Sequence, residues 1–175
     1  MTLLRSNIVL IGMPGSGKST VGILLAKLLG KTFVDTDVLI QTLEGRPLQD
    51  IVDRSGYLAL RAIEEKALLG LLINNHVIAT GGSAVYSHSA MEYLKKNCTV
   101  VFLHVDLDTL KARVRDFSIR GLAKRPDQTI DDLFAERCTL YRKYADIIVD
   151  CTGLNREEVC TKIIQKLEIR RPAEE

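Results

Sequence analysis

The sequence predicts a three-layer α/β/α sandwich built on a five-stranded parallel sheet, and two observations predict it. Short continuous apolar runs alternate with longer stretches of helical period, the pattern of βα units whose strands are covered on both faces. The first of these runs passes into the first helix through a glycine-rich turn, Gly12-Met-Pro-Gly-Ser-Gly-Lys18.

Residues 7–12 are a continuous apolar run, as a strand buried on both faces requires. Residues 18–29 carry Val21, Leu24, Leu25 and Leu28 at helical spacing. A second short strand, 32–34, ends in Asp35-Thr36-Asp37. Residues 57–74 are expected to form one long amphipathic helix, with Leu60, Ile63, Ala67 and Leu71 along a stripe. Strands follow at 77–80, stopped by Gly81-Gly82, at 99–105 and at 147–149. Helices are expected at 129–145 and 156–167. The stretch 116–128 is poor in apolar residues and holds Arg120, Lys124, Arg125 and Pro126, which suggests a mobile surface loop.

With 175 residues the chain is expected to be a single domain over 1–175, long enough to bury a core without staples. Its 24 basic and 22 acidic side chains leave a net charge of +2, which argues against a general affinity for nucleic acid or acidic membranes. No run approaches the roughly 18 apolar residues of a membrane span. The run at 7–11 is too short for a signal peptide and ends in glycines, not in a cleavage site. Cys98, Cys138, Cys151 and Cys160 show neither Cys-x-x-Cys pairing nor metal-ligand spacing, so reduced, buried thiols in a cytoplasmic protein are expected.

The segment Gly12-Met-Pro-Gly15-Ser16-Gly17-Lys18-Ser19 matches the Walker A pattern, with a strand before it and a helix after. Its glycines let successive N–H groups point inward as a nest for a polyphosphate, and the helix starting near Lys18 adds its positive dipole end. Gly12, Gly15, Ser16, Gly17, Lys18, Ser19 and Thr20 are therefore expected to bind ATP, with Lys18 reaching the β- and γ-phosphates and Ser19 ligating Mg²⁺.

Asp35 and Asp37 lie two apart at a strand's carboxyl end, where open parallel sheets bind ligands. One could serve the metal and the other an acceptor hydroxyl, although Asp37 could equally cap a helix beginning at Val38. Arg61 precedes Glu64 by one helical turn, so the acid could orient the guanidinium. Arg61 and Arg137 each offer a planar fork suited to a carboxylate, against the plainer reading of solvated surface charges. Gly81-Gly82 fits a tight turn, and also a backbone in close approach to a ligand.

Together with the phosphate loop, Asp35-Thr-Asp37, Leu60-Arg61-Ala-Ile-Glu64-Glu65, Gly81-Gly82-Ser83-Ala84-Val85 and Arg137-Cys-Thr-Leu-Tyr141 occur in order, and as a set they resemble the shikimate kinase family. The resemblance runs from about Asn7 to Leu167. It implies a P-loop NTPase fold with a lid like that of nucleoside-monophosphate kinases (about 116–128) and substrate-binding helices (about 38–75). It also implies transfer of the γ-phosphate of ATP, with Mg²⁺, to the 3-hydroxyl of shikimate. By resemblance, Asp37 binds the acceptor hydroxyls and acts as base, and Asp35 sits near the magnesium. Arg61 and Arg137 clamp the substrate carboxylate, while Gly81 and Gly82 offer backbone N–H groups. Arg120 is similar to the lid arginine that reaches the transferring phosphate, and Arg113 to the arginine that stacks on adenine. A monomer acting on a small molecule is expected.

The chain departs from the family pattern at three points. Ser83 stands where a third glycine is usual, Leu60 where phenylalanine precedes the arginine, and Gly121 where proline follows the lid arginine. A side chain at 83 is expected to be costly if the backbone there needs φ > 0, and Gly121 to loosen the loop. These changes leave two alternatives open. One is a same-fold kinase for another small hydroxylated acid such as gluconate, or for a nucleotide. The other is a nucleotide-binding regulator without transfer activity.

Overall fold

A computed structural model describes residues 6–114 and 121–170. Among them, β1 (Asn7–Ile11), β2 (Thr32–Asp35), β3 (His76–Ala79), β4 (Cys98–His104) and β5 (Ile147–Asp150) form one sheet in the order β2-β3-β1-β4-β5. Every pairing is parallel; Val9 of β1 faces Ile78 of β3 on one side and Val100 of β4 on the other. The helices are α1 (Lys18–Leu29), α2 (Thr36–Glu44), α3 (Leu48–Ser55), α4 (Tyr57–Leu69), α5 (His88–Asn97), α6 (Leu107–Arg113), α7 (Ile130–Tyr144) and α8 (Arg156–Ile169), with a 3₁₀ turn at Ala84–Tyr86.

This strand order explains the apolar runs. β1 is central and every residue in it is buried, whereas the edge strand β5 buries Ile147 and Val149 and exposes Ile148. From β1 the chain crosses to one edge of the sheet; after β3 it crosses to the other. Right-handed crossovers then put α1 and α5 on opposite faces. α8 packs beside α1, and α7 packs on β4 as α5 does. Val21, Leu25, Val159 and Ile163 cover the sheet from the first pair of helices, and Met91, Leu94, Leu133 and Tyr141 from the second. A smaller cluster, Ile40, Ile51, Leu60 and Ala123, joins α2, α3 and α4 to the segment after residue 120.

Several boundaries differ from the sequence expectation. The helix expected over 57–74 stops at Leu69, where the Gly70 N–H caps the Lys66 carbonyl. The helix expected at 129–145 is Ile130–Tyr144, held by a capping box between Thr129 and Asp132. Asp37 does not cap a helix: the Asp35 carboxylate accepts from the Asp37 and Val38 N–H groups, which starts α2 one residue before Asp37. The segment 121–123 is not a surface loop, since Leu122 and Ala123 are buried. Gly121 rests against Leu48 and Gln49 of α3. Its φ of 59°, a left-handed value that glycine adopts without strain, and its N–H bond to Gln49 Oε1 (2.7 Å) dock it on α3. All four cysteines are buried.

Candidate active site

The reversal of strand order beside β1 opens a crevice at the carboxyl ends of the strands. A cleft of about 920 Å³ occupies it. The loop from Pro14 to Thr20 lines one side. Asp37, Leu60, Glu64, Gly82, Ser83 and Arg137 line the acceptor end. Arg113, Cys151, Asn155 and Arg156 line the cleft as well.

Backbone strain and space explain the loop's residue types. Gly15 and Gly17 have φ of 85° and 95°, and Gly17 is the N-cap of α1. The loop therefore turns its backbone toward the helix's positive end. The Lys18 ammonium is buried and donates to the carbonyls of Gly12 (2.8 Å) and Met13 (2.9 Å). Burial lowers its pKa to about 8, opposed by Asp37 and pushed further by Arg137. A polyphosphate here would restore the charge balance that burial disturbs. Gly12 lies beneath the loop, bonded to Lys18, and not on the cleft wall.

Ser19 Oγ donates to Asp35 Oδ2 at 2.5 Å, so the two expected metal-side groups are together. Asp37, the second residue of α2, lines the cleft, and its Oδ1 is buried without a hydrogen-bond partner among the described residues. Burial raises its pKa, and Lys18 partly offsets this. A carboxyl group of raised pKa beside a lysine is a suitable base for an incoming hydroxyl.

Arg137 is buried to 1% exposure, an unusual place for a guanidinium, and its Nη2 donates to the Ala123 carbonyl at 3.1 Å. Arg61 Nη2 donates to the same carbonyl at 3.0 Å. Both guanidinium groups lie over the Tyr86 ring, Arg61 at 3.5 Å and Arg137 at 5.5 Å from its centre. The Nε atoms of both are buried without partners among the described residues. Arg137 lines the cleft, whereas Arg61 stands behind that wall. The expected Arg61–Glu64 orientation is not what the structure holds: Glu64 accepts from Ser83 Oγ, and Arg61 is oriented by Tyr86 and Ala123.

The glycine pair differs from the expectation as well. The Gly81 N–H is donated to Thr36 Oγ1 (3.2 Å), so it holds α2 against β3 and is not aimed at an acceptor. Its lack of a side chain matters more. A Cβ there would collide with Glu64 Oε1 and come within 2.8 Å of Asp37 Oδ1. A Cβ at Gly82 would come within 2.8 Å of Arg137 Nη1, and the Gly82 carbonyl accepts from Tyr141 (2.6 Å). Ser83 has φ of −93°, so no strain attends a side chain at that position. Arg120 lies outside the described residues. Lys124 and Arg125, its neighbours in the loop, are engaged with the Gln128 carbonyl and Glu136.

Tyr86 and Ala123 were not picked out from the sequence. Tyr86 follows Gly-Gly-Ser-Ala-Val, and an aromatic so close to a ligand-side turn was the available signal. Ala123 acts through its carbonyl, for which a sequence carries no signal.

One cleft lined by a loop suited to a polyphosphate, a carboxylate and a buried guanidinium defines a P-loop kinase acting on a small molecule. Sequence comparison narrows this. The shikimate kinase family model matches residues 14–168, and the chain belongs to that family. It is 40% identical over 162 residues to a shikimate kinase of Mycobacterium avium, covering 91% of this chain and 92% of that one. With a shikimate kinase of a Sulfurihydrogenibium species it shares 36% over 165 residues, 94% of this chain and 99% of the relative. Among solved structures, Acinetobacter baumannii shikimate kinase in complex with shikimate superposes with a TM-score of 0.87 at 31% identity, covering 94% of each chain. The fold extends to thymidylate kinase from Candida albicans, at a TM-score of 0.56 and 16% identity, with 93% and 91% of the two chains covered. No described helix is long and apolar enough to cross a membrane.

Proposed function

We propose that the protein transfers the γ-phosphate of ATP to the 3-hydroxyl of shikimate, as one domain over residues 1–175 and as a cytoplasmic monomer. The observation that carries this is Arg137: a buried guanidinium whose Nε has no partner among the described residues, on the wall of the cleft that Lys18 and Asp37 also line. A carboxylate is the ligand that answers such a group, by paired charge-assisted hydrogen bonds. Arg61 reinforces it across the shared Ala123 carbonyl.

In this reading Asp37 accepts the proton of the attacking hydroxyl, and Lys18 with the loop amides neutralises charge on the transferring phosphoryl group. Gly82 leaves the space in which the acceptor approaches Arg137. Arg113 flanks the adenine, and Arg120 is proposed to close over the phosphates. Ser19 and Asp35 supply hard oxygen donors suited to Mg²⁺, which keeps most of its ligands as water and phosphate oxygen. When bound, that ion would supply charge neutralisation for the phosphoryl transfer.

The test is ADP release with shikimate, quinate, gluconate and nucleoside monophosphates offered separately. Shikimate should give the highest kcat/KM. Turnover on a nucleotide alone, or on an acceptor without a carboxylate, would overturn the assignment; ATP binding without turnover on any of them would favour the regulator.

A further inference from the structure

We propose that Ser83 is a positioning residue whose hydroxyl holds the Glu64 carboxylate as a hydrogen-bond acceptor at the acceptor end of the cleft. The proposal rests on the reading that a polyhydroxylated acid binds there. Its own basis is geometric. Ser83 Oγ donates to Glu64 Oε2, and both residues are buried yet line the cleft. Oε1, the other oxygen, packs against Gly81 on the same spot that Asp37 Oδ1 approaches. The two carboxyl groups thus converge where a sugar-like acceptor would present its hydroxyls, and only one of them has a donor of its own among the described residues.

The charges facing Glu64 come from four elements: Lys18 of α1, Asp37 of α2, Arg61 of its own helix and Arg137 of α7. Burial and Asp37 favour the protonated form, while Ser83 and the two arginines favour the ionised one. A protonated Glu64 would lose acceptor capacity toward an incoming hydroxyl. Ser83 therefore sets how far toward acid the pocket keeps its full set of acceptors.

The experiment compares the parent with Ser83→Ala, Ser83→Thr and Glu64→Gln. Carboxyl signals of ¹³C-labelled glutamate are followed through a pH titration, and shikimate kinetics are measured between pH 6 and 8.5. A signal titrating near neutrality should be missing in Glu64→Gln and should move to higher pH in Ser83→Ala. In Ser83→Ala the KM for shikimate should rise about tenfold at the acid end and converge on the parent at the alkaline end, since a hydrogen bond to a charged group is lost only where the charge is. Ser83→Thr, which keeps the hydroxyl, should restore the parent profile. An unmoved Glu64 titration in Ser83→Ala, or a KM raised equally at every pH, would overturn the proposal. Failure of the parent to release ADP with shikimate would overturn the substrate reading instead, and the titration would still decide the role of Ser83.

Discussion

At the Glu64 carboxyl, burial and the neighbouring Asp37 push the pKa up to about 7 despite the Ser83 hydrogen bond. In the unfolded chain the group titrates near 4.5. Between these values the native state keeps a proton that the unfolded state has lost, so this group's contribution is full below pH 4.5 and is lost as pH rises to about 7. The loss amounts to roughly 3 kcal/mol. Denaturant unfolding at pH 5 and pH 8 should therefore show a smaller pH difference for Glu64→Gln than for the parent; an equal difference would mean that Glu64 titrates normally. The two arginines make a second residue-scale prediction. Arg137 lines the cleft and Arg61 stands behind it, so Arg137→Lys should raise the KM for shikimate about tenfold or more and Arg61→Lys by less, both with ATP affinity little changed. Steady-state kinetics with each substrate varied will check the order. Both arginines were legible from their motif, but their orientation was not. Helical spacing suggested Glu64 as the partner of Arg61, and tertiary packing brought the Ala123 carbonyl and the Tyr86 ring to it instead.

α2 shows how an element and a site are joined through one side chain. The Asp35 carboxylate caps α2 with one oxygen and accepts from Ser19 with the other. Asp35→Ala should cost about 1 kcal/mol in unfolding free energy through the lost cap. Asp35→Asn, a good cap without the charge, should keep stability yet demand more magnesium for half-maximal rate. Equal magnesium dependence in Asp35→Asn and the parent would remove Asp35 from the metal's surroundings. Elements with strong signals were legible: α1 through its period and preceding glycines, α7 through its period over a Thr129–Asp132 box. α2 and α3 were not. They are nine and eight residues long, too short for a period to stand out, and they are stabilised by burying Ile40 and Ile51 in the cluster with Leu60 and Ala123. The merging of residues 70–74 into α4 failed for a local reason, since Gly70 closes the helix while the apolar pattern continues to Leu71.

For the molecule as a whole, the parallel sheet was legible because strands covered on both faces carry continuous apolar runs, as β1 does over Ile8–Ile11 and β4 over Val100–Leu103. The position of the cleft followed from the phosphate loop and the carboxyl-end rule. The closeness of its two ends did not, since it depends on how α4 and α7 pack across the sheet. A site so divided predicts that ATP stabilises the fold on its own. At a hundredfold excess over Kd it should add about 2.7 kcal/mol, a rise of a few degrees in Tm at this size. An unchanged melting curve would contradict the nucleotide site. The central claim is spatial, and a crystal structure with ADP and shikimate bound tests it most directly. The account predicts the shikimate carboxylate on Arg137, backed by Arg61, with the 3-hydroxyl between Asp37 and the phosphate loop. Shikimate bound with its carboxylate away from Arg137, or outside the cleft that holds Lys18, would contradict it.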